Sequence, residues 1–157
     1  MKKTSNKGFS MVELIIVIAI MAILAAALAP ALIKYINKSR LSTDIQTGQT
    51  IATSVQSALA NEEANGDCAL RQGSIVNVSD VLSGAIGGSS FCSEFKSIMG
   101  VNALTGKSKK DANNDEFSSV GSFYMEVDPA KNLVNVWYGG TSPQWQVAPN
   151  QGASMTK

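Results

Sequence analysis

Residues 8–33 read GFSMVELIIVIAIMAILAAALAPALI, and after Glu13 the twenty residues Leu14–Ile33 carry no charge. As a helix, twenty residues reach about 30 Å, the thickness of a bilayer's hydrocarbon core. The run reads as a membrane span. Glu13 stands at its mouth, where an ionised carboxylate at membrane depth costs about 3 kcal/mol and is expected to be paired or functional.

Lys2, Lys3 and Lys7 precede the run, and Lys34, Lys38 and Arg40 follow it. These flanks balance, so counting positive charges does not set the orientation. A first span behind a basic N-terminal flank usually stays N-in, and the rest of the chain is expected to be exported. The 157 residues carry 13 basic and 12 acidic side chains, a formal charge of +1. Without the three leading lysines the acids outnumber the bases, which is not the balance of a dedicated nucleic-acid binder. Histidine is absent. That removes Ser-His-Asp and Cys-His nucleophiles, His-containing zinc sites and the usual near-neutral general base. Cys68 and Cys92 are the two cysteines. In an oxidising compartment the pair is most simply a disulfide, worth about 3 kcal/mol by the chain-entropy model; two free thiols are the alternative.

The helical pattern continues past Ile33. Leu41, Ile45, Gly48, Ala52, Val55 and Leu59 make one stripe, and Thr43, Thr47, Thr50, Ser54 and Ser57 fill the other side, as in an amphipathic helix facing a domain. Pro30 lies within the pattern and predicts a kink rather than an end, since it removes one hydrogen bond. Asn65-Gly66 is a suitable stop. One helix from about Phe9 to Ala64 would be roughly 80 Å long. Within residues 67–116, Ser74–Val78 reads as a short strand. Ser90 is the expected N-cap of a short helix with Phe91, Phe95, Ile98 and Met99 on one face and Gly100 at its end, and Asn102 to Glu116 reads as a polar loop.

From Phe117 the period becomes two. Phe123, Met125 and Val127 alternate with Tyr124 and Glu126; Val134, Val136 and Tyr138 alternate with Leu133, Asn135 and Trp137. Asp128 to Asn132 supplies the turn, and Gln144–Ala148 adds a third strand. The apolar face of this sheet and the stripe on the helix can cover each other.

The short basic leader, Gly8-Phe9-Ser10-Met11-Val12-Glu13, the apolar run and Pro30 together resemble the type IV pilins and pseudopilins. The resemblance is strong over residues 1 to about 40. It implies an α+β ladle: a leader at 1–8, a membrane and filament-core helix at 9–40, and an exported globular domain at 41–157. That domain comprises the amphipathic helix 41–64, the connecting segment 67–116 and an antiparallel sheet at about 117–148. It further implies that a prepilin peptidase cuts between Gly8 and Phe9 and methylates the new amine of Phe9. Glu13 would pair with the Phe9 amine of a neighbouring subunit, and Pro30 would mark the bend. The product would be a helical homo-oligomer, reached with a membrane platform protein and a cytoplasmic ATPase, and displayed on the cell surface after residence in the inner membrane. No catalytic residues and no cofactor are implied. In many pilins a disulfide encloses a segment near the C-terminus, whereas a Cys68–Cys92 bond would tie the end of the long helix to the middle of the chain.

Other readings compete. Ala27-Leu28-Ala29 imitates a signal-peptidase site, but Pro30 directly after the cut makes a poor substrate. A pseudopilin of a secretion or DNA-uptake machine is the alternative within the family. A membrane-anchored exported binding domain that never polymerises is the alternative outside it. Asp111, Asn113 and Asp115 have the spacing that opens a calcium loop, but Glu116 replaces its glycine and Ser122 its twelfth ligand; no metal is expected. Lys107, Lys109 and Lys110 lack interleaved aromatics, so no specific nucleic acid is expected.

Overall fold

A computed structural model describes residues 8–109 and 121–149. The chain divides into two compact units, Met1–Lys38 and Ser39–Lys157. The first helix, α1, spans Met11–Leu59 and contributes to both, with Pro30 inside it. Proline therefore does not end the helix, as expected from the pattern on either side.

In the first unit, no described residue covers the apolar side chains of α1. Large apolar residues from Leu14 to Ile33 are between 47% (Val17) and 70% (Ile23) exposed. This contiguous apolar surface far exceeds the few hundred Å² a soluble monomer tolerates. It demands lipid or other protein around it.

In the second unit, α1 becomes one-sided. Gly48, Ile51, Ala52, Val55, Ala58 and Leu59 are buried, with Leu41 and Ile45 partly so. The expected stripe is present and widened by Ile51 and Ala58. Ser54, expected on the polar side, is buried. On the exposed side, the hydroxyls of Thr43, Thr47, Thr50, Thr53 and Ser57 each donate to the carbonyl four residues earlier. Their polar groups are thus satisfied within the helix.

The helix stops at Leu59, earlier than the Asn65-Gly66 signal suggested. A second helix, α2 (Glu62–Asp67), begins with Asn61 as N-cap, whose side chain accepts from the N–H groups of Glu63 and Ala64. Asn65 still takes part in the stop, because its amide donates to the Leu59 carbonyl at 2.9 Å. The connecting region then forms β1 (Val76–Asn77), α3 (Val78–Leu82) and α4 (Ser89–Met99). The strand and α4 fall where the pattern placed them; α3 has too few residues to show a period. Gly88, not Ser90, is the N-cap of α4, with φ at +97°. There a Cβ would run into the Asp67 backbone, so glycine is required. The Asp67 carboxylate accepts from the Ser90 N–H at 2.6 Å, and Gly100 ends the helix in the left-handed conformation.

Three longer strands complete an antiparallel sheet: β2 (Ser122–Asp128), β3 (Leu133–Gly139) and β4 (Trp145–Ala148), in the order β1-β2-β3-β4. Met125 pairs with Val136 and Phe123 with Tyr138. The period-two reading holds: Phe123, Met125, Val127, Val134, Val136 and Tyr138 are buried on one face. A 3-10 turn, Pro129–Lys131, joins β2 to β3, with Asn132 left-handed at φ 50°. Gly48 marks where α1 crosses this face, since a Cβ there would overlap the Val147 side chain.

Cys68 and Cys92 do not form the expected disulfide. Both are free and buried, as members of the core that also holds Phe91, Phe95 and Leu82. Compartment and pairing count had suggested a covalent tie; the side chains instead serve as small hydrophobes. The Cys92 thiol donates to the Ile86 carbonyl at 3.1 Å.

One buried carboxylate organises the loop after α4. Asp44, 1% exposed, accepts from the Lys107 N–H at 2.9 Å and from the Ser108 N–H at 2.6 Å. The Tyr138 hydroxyl donates to the Ser108 carbonyl at 2.6 Å. Burial, reinforced by the Asp44 charge, pushes the Tyr138 hydroxyl far above its ordinary pKa.

Candidate functional site

The candidate site is the segment Gly8–Glu13. Gly8, Phe9 and Ser10 precede the helix and are exposed, with Phe9 at 85%. Such a segment offers an accessible, non-helical peptide bond between Gly8 and Phe9. Gly8 has no positive φ, and nothing lies within 4 Å of a Cβ placed on it. The chain itself therefore does not need glycine there. Any requirement for it is set by what acts on the bond.

Ser10 begins the helix. Its carbonyl accepts from Leu14 N–H at 3.2 Å, and its hydroxyl oxygen accepts from Val12 N–H at 3.3 Å. Glu13 reaches back, and its Oε2 accepts from Ser10 N–H at 2.8 Å. This is a capping box, in which a serine and a glutamate three residues on satisfy the orphan donors of a first helical turn. The carboxylate also faces the positive end of the helix dipole. Sequence reasoning missed this role for Ser10 and Glu13, although the Ser-x-x-Glu spacing ahead of an apolar run was its signal. Glu13 thus has a task within its own chain. Its intrachain donor is Ser10, not Phe9, and its Oε1 has no partner among the described residues.

The other sequence-derived residues lie elsewhere. Pro30 sits well inside α1. Cys68 and Cys92 lie in the core of the second unit, where burial raises both thiols above their ordinary pKa. Lys107 and Lys109 are exposed on the loop that Asp44 holds. Lys110 and the calcium candidates Asp111, Asn113 and Asp115 lie outside the described residues. Among the described residues no cluster of three or more His, Cys, Asp or Glu could hold a metal.

Residues 3–29 match the family model of the prokaryotic N-terminal methylation motif. The type IV major fimbrial protein FimA of Dichelobacter nodosus is similar at 38% identity over 66 residues, covering 42% of this chain and 39% of that protein. Over its N-terminal segment, the chain is similar to type IV pilins. A second FimA sequence from the same organism is 33% identical over 79 residues, covering 50% of this chain and 49% of that one. A fimbrial protein of Moraxella nonliquefaciens is 38% identical over 64 residues, covering 41% and 39%. The chain thus spans between about two fifths and a half of the length of these pilin relatives. No solved structure matches it. The motif covers all of Gly8–Glu13, so the capping box lies within the matched segment. The long helix against a small antiparallel sheet is the α+β arrangement expected of a pilin.

Proposed function

We propose that this chain is a structural subunit of a type IV pilus, made as a membrane-anchored precursor and assembled into a helical filament. The observation that carries this reading is the joining of two features. A processing-type segment, Gly8–Glu13, is matched by the methylation motif. It leads directly into a helix whose apolar surface has no cover among the described residues. Copies packed side by side, after residence in a bilayer, supply that cover. The fimbrial names of the relatives favour a pilus over a pseudopilus.

Hydrolysis of the Gly8–Phe9 bond by a prepilin peptidase leaves a carboxylate on Gly8 and an amine on Phe9. That amine, with an ordinary pKa near 8, is mostly cationic at neutral pH. Methylation of Phe9 keeps it basic. The cation then lies beside a helix start where Glu13 has one oxygen engaged by Ser10. A carboxylate accepts several hydrogen bonds, so the second oxygen is available to the amine of a neighbouring Phe9 without dismantling the cap. In an apolar filament core such a pair is weakly screened. It favours one axial register, while the apolar side chains supply adhesion without register. A membrane platform protein and a cytoplasmic ATPase drive the extraction that this step requires.

Co-expression with a prepilin peptidase tests the first step. The expected product lacks residues 1–8 and carries one added methyl group on Phe9, read by intact-mass analysis. An unaltered chain in the presence of an active peptidase overturns the proposal.

A further inference from the structure

The uncharged run ends at Ile33, and Lys34, Tyr35 and Lys38 follow within five residues. The two lysines are one helical turn apart and share a face of α1. With Tyr35 they border a surface depression of about 210 Å³. Both lysines are exposed, and Tyr35 is 75% exposed. No acidic residue occurs between Glu13 and Asp44, and neither lysine has an ion-pair partner among the described residues.

We propose that Lys34, Tyr35 and Lys38 form a seat for the phosphate headgroup of an anionic phospholipid, in the leaflet from which the exported part emerges. The apolar run sets the depth. With Leu14–Ile33 filling the hydrocarbon core, Lys34 and Lys38 lie about 1.5 and 7.5 Å beyond its edge at 1.5 Å per residue. The headgroup layer occupies the first several Å outside the core on each side. Lysines at a helix end extend their ammonium groups to that level while their stems stay in apolar surroundings, and tyrosine prefers the same interface. The charge also selects the partner. A second copy aligned alongside presents the same two cations and no carboxylate from this stretch, whereas an anionic headgroup supplies the missing negative charge. The seat would hold the subunit at a fixed depth before assembly. It rests on the membrane residence proposed above and not on polymerisation.

Native mass spectrometry of the full chain tests it, in detergent micelles doped equally with phosphatidylglycerol and phosphatidylcholine. The expected result is a preference for retained phosphatidylglycerol on the order of tenfold, given the contribution of each basic side chain at an anionic surface. Lys34→Gln with Lys38→Gln should bring retention to parity, and Lys34→Arg with Lys38→Arg should keep the preference. Excess inorganic phosphate should not displace the lipid. Parity in the unaltered chain, a preference unchanged in the glutamine variant, or displacement by free phosphate would each overturn the inference. Filament formation plays no part in the readout, so a chain that never polymerises is tested equally.

Discussion

At the scale of single residues, Glu13 has one task in its own chain and a second, separable one in the proposed filament. Its geometry caps the first turn through Ser10; its charge is what a neighbouring amine would recognise. Glu13→Gln keeps a capping-box side chain but removes the charge. It should leave the precursor inserted and processed, with filament yield reduced at least tenfold. Ser10→Ala does the reverse: it should weaken the helix start by about 1 kcal/mol and leave filaments in near-normal amount. Quantifying processed subunit in membrane and sheared fractions of both variants distinguishes charge from cap. Normal filament yield from Glu13→Gln would contradict the pairing. The capping box was legible in the spacing of Ser10 and Glu13. The charge masked it, because one carboxylate satisfies both explanations. Gly8 belongs to this scale as well. Since the fold leaves it unrestrained, Gly8→Val should not alter helicity yet should abolish cleavage, seen as persistence of the precursor mass.

At the scale of elements, the long periodic segments and the short strands were readable, and the short helices α2 and α3 were not. The second half of α1 and the strands β2 and β3 follow from periods of 3.6 and two sustained over several repeats. Helices α2 and α3 have six and five residues, too few to repeat a pattern, and such lengths form only on tertiary support. Asp44 was readable in principle. It stands between Leu41 and Gly48 on the buried stripe, and a carboxylate there must have donors. Those donors, Lys107 and Ser108, come from more than sixty residues away and leave no local mark. Asp44→Ala should strand both N–H groups, costing about 1–3 kcal/mol and speeding amide exchange at Lys107 and Ser108. Gly48→Ala should press against Val147 at a cost of about 1–3 kcal/mol. Thermal denaturation of the full chain in detergent measures both.

At the scale of the whole molecule, the second unit relies on packing rather than a covalent tie. The disulfide expectation failed because compartment and residue count do not report whether a cysteine sits in a core. Burial raises the pKa of Cys68, Cys92, Tyr124 and Tyr138. In each case the folded state keeps a proton that the unfolded state releases earlier, so folding binds more protons at high pH. Stability should therefore be level through neutral pH and fall above about pH 8.5, where unfolded thiols begin to ionise. A denaturant series from pH 7 to 10 reads this directly, and two thiols should react with a disulfide reagent only on unfolding. The exposed apolar helix of the first unit places a different demand, which the proposed function meets with lipid before assembly and with other copies after it. Mass spectrometry of filaments sheared from cells producing this chain tests that account most directly. The expected subunit begins at methylated Phe9 and is present in the filament fraction. A subunit that begins at Met1 or Pro30, or filaments that lack the chain, would contradict it.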